Sequence, residues 1–286
     1  MRVLETHPRP TAAPDGAAAA PDGKPRRLAI LPAYNEAVTV AGVVQSLRRH
    51  APEWDPVVID DGSTDETTQL AAQAGAKVLH APFNLGIGGA VQLGFAYALE
   101  NGYDYMVQVD ADGQHDPREV RKLVAEMESH PKLDVVCGSR FLTKDHRYPA
   151  PISRRTGIHL FAFLTSKIVG QRVSDPTSGF RLYNRRAIAL FARDYPHDYP
   201  EVEAILMLHA HRLRIHEIPV RMNARGFGRS SIDYPRSAYY MAKVLLALFI
   251  GLFRRRPTPM DEPAETPEGE PVAPGAAVSG VGGRGH

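Results

Sequence analysis

Val107-Gln108-Val109-Asp110-Ala111-Asp112-Gly113-Gln114-His115 joins an apolar run to two carboxylates one residue apart. Tyr103 to Val109 has the aromatic and β-branched content of a buried strand. The run stops at Asp110, and Gly113, Gln114 and His115 follow. The pattern predicts a strand whose C-terminal edge carries an Asp-x-Asp pair. Carboxylates so placed can point hard oxygen donors at one spot, which suits Mg²⁺ or Mn²⁺ shared with the phosphates of a substrate. The plainer reading is a strand-to-helix turn, where Asp and Gly are common and Asp116-Pro117 opens the next helix. The rest of the chain weighs towards the metal.

Upstream, Leu28 to Leu31 reads as a short buried strand, interrupted by Pro32-Ala33-Tyr34-Asn35-Glu36. Val40, Val43, Val44 and Leu47 then lie at helical spacing. Val57-Val58-Ile59 is a second strand, ending in Asp60-Asp61-Gly62-Ser63-Thr64-Asp65, where Ser63 or Thr64 can cap the following helix. A third strand covers Ala76 to Leu79, and a loop with Gly86, Gly88 and Gly89 leads into a helix reaching about Glu100. This alternation predicts an α/β fold, a mostly parallel sheet flanked by helices on both faces. Ligands of such sheets sit beyond the C-terminal strand ends. Three strand ends here are polar, acidic or glycine-rich, so one crevice lined by carboxylates and small residues is expected.

Downstream, a helix from Pro117 precedes a strand at Asp134 to Gly138, followed by Ser139-Arg140. Residues 153–170 begin basic, with Arg154 and Arg155, and continue apolar. Asp175-Pro176-Thr177-Ser178-Gly179-Phe180-Arg181 is a polar loop entering a strand, and Pro200-Glu201-Val202-Glu203 opens a late helix. Arg214 to Val220 alternates as a strand, and Arg225 to Ser231 is a basic, glycine-containing loop. A dinucleotide-binding module fits poorly, because Gly86-Ile87-Gly88-Gly89-Ala90-Val91 ends on valine and follows the third strand. His209, His211 and His216 lack a zinc-ligand spacing.

The 286-residue chain carries 34 Lys and Arg against 32 Asp and Glu, so its charge gives no support for nucleic-acid binding. The single cysteine, Cys137, excludes an internal disulfide and reads as a small buried hydrophobe. Residues 1–25 and 257–286 are rich in Pro, Gly and Ala and are expected to be disordered tails. They leave one core domain of ordinary size at 26–236 and a last helix at 237–256. Val244 to Phe253 is apolar but well short of the ~20 residues of a spanning helix. Tyr239, Tyr240 and Lys243 precede it and Arg254-Arg255-Arg256 follow, flanks that suit a helix lying in the membrane interface. The expectation is a cytoplasmic enzyme held peripherally on the cytoplasmic face of the membrane.

Taken in order, these motifs resemble the family-two inverting glycosyltransferases of the GT-A (Rossmann-like) fold, and within them the dolichol-phosphate mannosyltransferase-like branch. The matching pieces lie at 32–36, 60–65, 84–90, 110–115, 138–140 and 175–181. The resemblance implies a nucleotide-diphosphate sugar donor, GDP-mannose or a UDP-sugar, a divalent metal, Mg²⁺ or Mn²⁺, and a polyprenyl phosphate acceptor. By that likeness Pro32, Tyr34, Glu36, Asp60, Asp61 and Gly86 frame the nucleotide. Asp110, Asp112 and Gln114 hold the metal and diphosphate, and Arg225 and Arg229 clamp the phosphates. Asp175 sits by the sugar and acceptor, with Arg140 and Arg154 on the acceptor phosphate. Two departures bear on substrates. Leu85 and Ile87 are apolar where the branch often has a basic residue, which leaves the donor open. Pro-Glu-Val-Glu replaces the Glu-Asp pair common in hydroxyl-acceptor members. A phosphate acceptor is already ionised and needs no strong base, whereas a hydroxyl acceptor, as in envelope polysaccharide synthesis, needs one, for which Glu201 is the candidate.

Overall fold

The computed structural model describes residues 23–142, 152–197 and 200–223, with side chains from residue 160 onward in the helix that starts at 152. Arg225, Arg229, the expected helix at 237–256 and the tail at 257–286 lie outside the described residues, as does the side chain of Arg154.

The first half alternates as its sequence predicts: β1 (Arg27–Ala33), α1 (Val40–His50), β2 (Asp55–Asp60), α2 (Thr67–Gln73), β3 (Lys77–His80), α3 (Gly86–Glu100) and β4 (Tyr105–Gln108). A short 3₁₀ turn, Pro117–Glu119, leads into α4 (Val120–Ser129), then β5 (Val135–Ser139) and α5 (Ile152–Val169). The chain continues through β6 (Arg181–Asn184), α6 (Arg185–Arg193), α7 (Pro200–Ala210) and β7 (Ile215–Pro219).

These strands form one seven-stranded sheet in the order β3-β2-β1-β4-β6-β5-β7. Alternate residues of β1 serve opposite faces, as a pleated strand requires. Ala29 and Leu31 pack with Val40, Val44 and Leu47 of α1 and Leu123 of α4. Leu28 and Ile30 pack with Val91 and Phe95 of α3 and Phe191 of α6. Cys137 is fully buried in β5, as a small hydrophobe.

One local expectation needs correcting. Ser63 and Thr64 do not cap α2, which starts only at Thr67. Instead Asp65 accepts the Thr67 N–H at 3.0 Å, while Ser63 and Thr64 bond back to the turn after β1. The sheet is mostly parallel, as expected, with one reversed strand. β6 runs antiparallel to both β4 and β5, while the other pairings are parallel. An antiparallel strand begins where its neighbours end. The Asp175–Gly179 loop, which precedes β6, therefore reaches the same edge of the sheet as Asp110 after β4 and Arg140 after β5.

Candidate active site

The turns after β1 and β2 are knitted together. Asn35 sits at φ +55°, the left-handed region that Asn tolerates. It donates its N–H to Ser63 Oγ at 2.9 Å, and its Oδ1 accepts the Thr64 N–H at 2.9 Å. Glu36 N–H reaches Thr67 Oγ1 at 2.8 Å. Pro32 is buried and Glu36 half-buried, but the Tyr34 ring is 48% exposed and stands clear at the strand ends. Asp60 is fully buried and accepts from Ser63 N at 2.9 Å, from Thr68 Oγ1 and from His80 Nδ1 at 3.1 Å. Burial opposes its charge, yet these bonds outweigh burial and hold the carboxyl below its ordinary value.

Asp61 has the opposite balance. Burial raises its pKa despite the N–H groups of Leu85, at 2.6 Å, and Gly86, at 2.9 Å, on its carboxylate. The N-terminus of α3 is thus already satisfied by a protein carboxylate. Gly86 serves this turn with φ +78°. Gly88 serves packing, since a Cβ there would lie 2.5 Å from the Pro196 carbonyl.

The acidic turn after β4 is internally braced. Asp112 accepts the Gln114 N–H at 2.9 Å and the Gln114 side-chain amide as well. Gln108 Nε2 donates to Asp110 Oδ1 at 3.1 Å. Asp110 N–H donates to His115 Nδ1 at 2.9 Å, which places the imidazole proton on Nε2, 3.5 Å from Asp110 Oδ2. His115 is buried and stacks on Phe180 with ring centroids 4.9 Å apart. Gly113, at φ +80°, allows the tight turn. Asn223, close before the basic loop, donates its N–H to the Gln114 carbonyl at 2.8 Å and its side-chain amide to the Gly113 carbonyl at 3.1 Å.

Across from this turn lies a buried ion pair. Asp175 is 0% exposed and Arg140 is 9% exposed. Arg140 donates through Nε and Nη2, each at 2.7 Å, and through its backbone N–H at 3.1 Å. The Asp175 loop passes close over the acidic turn, because a Cβ on Gly179 would lie 2.8 Å from Gln108 Nε2 and 3.7 Å from Asp110 Oδ1. Glu201, in the first turn of α7, completes the edge. Burial pushes its pKa up, opposed by Arg181 and reinforced by Asp110.

The arrangement fits a divalent ion. Among the described residues no three His, Cys, Asp or Glu side chains are placed to enclose a metal by themselves. Asp110 and Asp112 with the Gln114 amide would supply part of an oxygen shell, and phosphate oxygens would complete it. The Asp110 side chain is 34% exposed, so the turn opens towards a ligand.

The sequence pattern of glycosyl transferase family 2 matches residues 28–191. The chain belongs to that family. This family-2 glycosyltransferase is 33% identical over 216 residues to the undecaprenyl-phosphate mannosyltransferase of Micrococcus luteus, covering 73% of this chain and 88% of that one. It is 30% identical to the polyprenol monophosphomannose synthase of Mycolicibacterium smegmatis over 57% of this chain and 63% of that one. Such relatives place it in the dolichol-phosphate mannosyltransferase-like branch. Its GT-A-like fold matches glucosyl-3-phosphoglycerate synthase of Mycobacterium tuberculosis, solved with Mn²⁺, UDP-glucose and phosphoglyceric acid. There the TM-score is 0.59 at 20% identity, over 80% of each chain.

The fold brings Pro32, Tyr34, Glu36, Asp60, Asp61, Gly86, Asp110, Asp112, Gln114, Arg140, Asp175 and Glu201 to one edge of the sheet of this glycosyltransferase. Three residues without an assigned role emerge beside them, namely His115, Arg181 and Glu217. Arg181, only 1% exposed, donates to the Glu201 carbonyl at 2.7 Å and the Pro176 carbonyl at 3.2 Å, tying the loop to α7. A charge within the apolar Phe180-Arg181-Leu182-Tyr183 strand was its visible signal.

Proposed function

We propose that this glycosyltransferase moves a sugar from a nucleotide-diphosphate sugar to a polyprenyl phosphate, with inversion at the anomeric carbon. The observation that carries the reading is the meeting of the acidic turn at 110–114 with the buried Arg140–Asp175 pair at one sheet edge. The names of the undecaprenyl-phosphate and polyprenol relatives support the same acceptor class.

In this mechanism Tyr34 and the turn at 60–65 frame the nucleoside. Asp110, Asp112 and Gln114 would hold Mg²⁺ or Mn²⁺ at the diphosphate, where the ion would supply Lewis-acid neutralisation of the leaving charge. Arg225 and Arg229 add charge-assisted contacts to the same phosphates. Arg140, oriented by Asp175, and Arg154 receive the acceptor phosphate, which attacks opposite the leaving group. Its oxygen is already ionised near neutral pH, so no proton need be removed.

A hydroxyl acceptor is the second reading, favoured by the raised pKa of Glu201 beside Asp110. Glu201 would then take the hydroxyl proton. Among the described residues no helix is long and apolar enough to cross a membrane. Meeting a lipid acceptor on the cytoplasmic leaflet would then fall to the interfacial segment at 237–256.

The test is a screen of radiolabelled nucleotide sugars with undecaprenyl phosphate, with and without Mg²⁺ or Mn²⁺. A metal-dependent, lipid-linked monosaccharide made without any glycan supports the proposal. Transfer only to a hydroxyl-bearing glycan refutes it in favour of the second reading. Binding of the full chain to anionic liposomes at low salt checks the membrane part.

A further inference from the structure

We propose that Glu217, on the edge strand β7, is the positioning residue that sets the Arg140–Asp175 pair for the acceptor phosphate. The inference rests on the acceptor reading above. A carboxylate can only accept hydrogen bonds, and that of Glu217 gathers donors from the loop entering β6. One oxygen accepts the Ser174 N–H at 2.6 Å and the Ser174 hydroxyl at 2.7 Å, and the other accepts the Asp175 N–H at 3.0 Å. Because the Ser174 hydroxyl gives its proton to Glu217, it must accept from Ser139, whose Oγ lies 2.7 Å away. Ser139 Oγ in turn accepts the Phe141 N–H at 3.2 Å. The backbone on both sides of Arg140 is thereby tied to the loop that carries Asp175.

The consequence falls on the guanidinium. Asp175 accepts three bonds from Arg140, at 3.1, 2.7 and 2.7 Å, and one from Thr177 at 3.2 Å. Its carboxylate can hold Arg140 in one orientation only if its own backbone is fixed. Glu217 fixes it from a neighbouring strand, where β7 pairs with β5 and Glu217 stands opposite Cys137. Charge-assisted bonds are the stronger kind, so a small polar loop is held more firmly than its own backbone contacts allow. The hydrogen bonds of this relay join β5, the loop entering β6 and β7, whereas Asp112 accepts from Gln114 within the turn that would carry the donor. Loss of Glu217 is therefore expected to disturb the acceptor half of the reaction selectively.

Glu217→Gln tests this with little change of shape. The amide keeps one accepting oxygen and turns an N–H₂ towards a loop donor. Loss of one charge-assisted bond is expected to raise the KM for undecaprenyl phosphate about tenfold. The KM values for the nucleotide sugar and for Mn²⁺ should stay within about twofold, since the bonds that Glu217 makes go to Ser174 and Asp175 on the acceptor side. Asp175→Asn should raise the same acceptor KM, and the double variant should be no worse than the more damaged single one, as expected for one relay. Should Glu217→Gln fold poorly by its melting curve, Ser174→Ala removes one donor to the carboxylate and must raise the same KM. Equal changes in donor and acceptor KM, no change, or additive effects in the double variant would overturn the inference. Wild-type protein that is inactive on undecaprenyl phosphate would overturn the acceptor reading too, so the two failures are distinct.

Discussion

Two aspartates at this site differ in what holds them, and their substitution should separate chemistry from stability. Asp112 lies half-buried in a turn and accepts hydrogen bonds from nearby Gln114. Asp112→Ala is expected to abolish transfer, by at least ~10³-fold if the metal carries charge neutralisation. Its melting temperature should stay close to wild type. Asp175 instead neutralises a buried guanidinium. Asp175→Ala leaves that charge unpaired and should cost about 3–5 kcal/mol of stability as well as activity. Denaturant titration beside a transfer assay distinguishes the pair. Glu201→Gln probes the acceptor. With an ionised phosphate as nucleophile the loss should stay below about tenfold, whereas a missing base costs about 10²–10⁴-fold. In the sequence Asp112 stands out just past an apolar run, Asp175 at the head of a polar loop and Glu201 at a helix start. That Asp175 meets Arg140 does not, because they lie 35 positions apart and touch only through the sheet.

Helix α3 packs close because its small residues allow it. Gly88 faces the Pro196 carbonyl, and Gly94 faces Ile30, whose Cδ1 would lie 2.8 Å from an added Cβ. The glycines at 86, 88 and 89 read in the sequence as a loop before the helix, yet they lie within α3, where Gly88 packs on the segment after α6. Gly88→Ala should therefore destabilise the fold by about 1–3 kcal/mol through overpacking. A chemical denaturation curve with an unchanged slope would report it. Phe95, two turns after Gly88, touches Tyr183, Phe191 and Tyr195 with centroids 4.9, 5.1 and 5.1 Å away. The buried stripe of α1, formed by Val40, Val43, Val44 and Leu47, was legible from periodicity. The start of α2 was not, because Asp65 rather than Ser63 or Thr64 satisfies the first helical N–H.

The molecule as a whole buries ionisable groups that are neutral at physiological pH. Burial pushes the Cys137 thiol from 9.0 up to about 12 and the Tyr183 phenol from 10.0 up to about 12. A raised folded pKa means that the unfolded chain loses its protons first. The stability these groups contribute is fully present below pH 9 and is lost as pH rises from 9 through about 12. Melting temperatures measured across that interval should fall steadily. Cys137→Ala should delay the onset to the region where tyrosine titrates, near pH 10. A melting temperature flat to pH 12 would contradict the burial of both groups.

Apolar runs broken by Asp, Gly and Pro were enough by themselves to determine an alternating α/β chain and an acidic pair just after β4. These features are local, since a side-chain period of two or of 3.6 residues is written in neighbouring positions. Only the tertiary structure decided that β6 runs against its neighbours, and so that the loop before it, rather than after it, meets Asp110. Arg181-Leu182-Tyr183-Asn184 reads the same in either direction, because pleat alternation carries no sense of polarity. Which distant partner a buried charge finds is likewise set by strand pairing. Hence Arg140 with Asp175, Arg181 with the Glu201 carbonyl and Glu217 with the 174–175 loop appear only once the sheet is assembled.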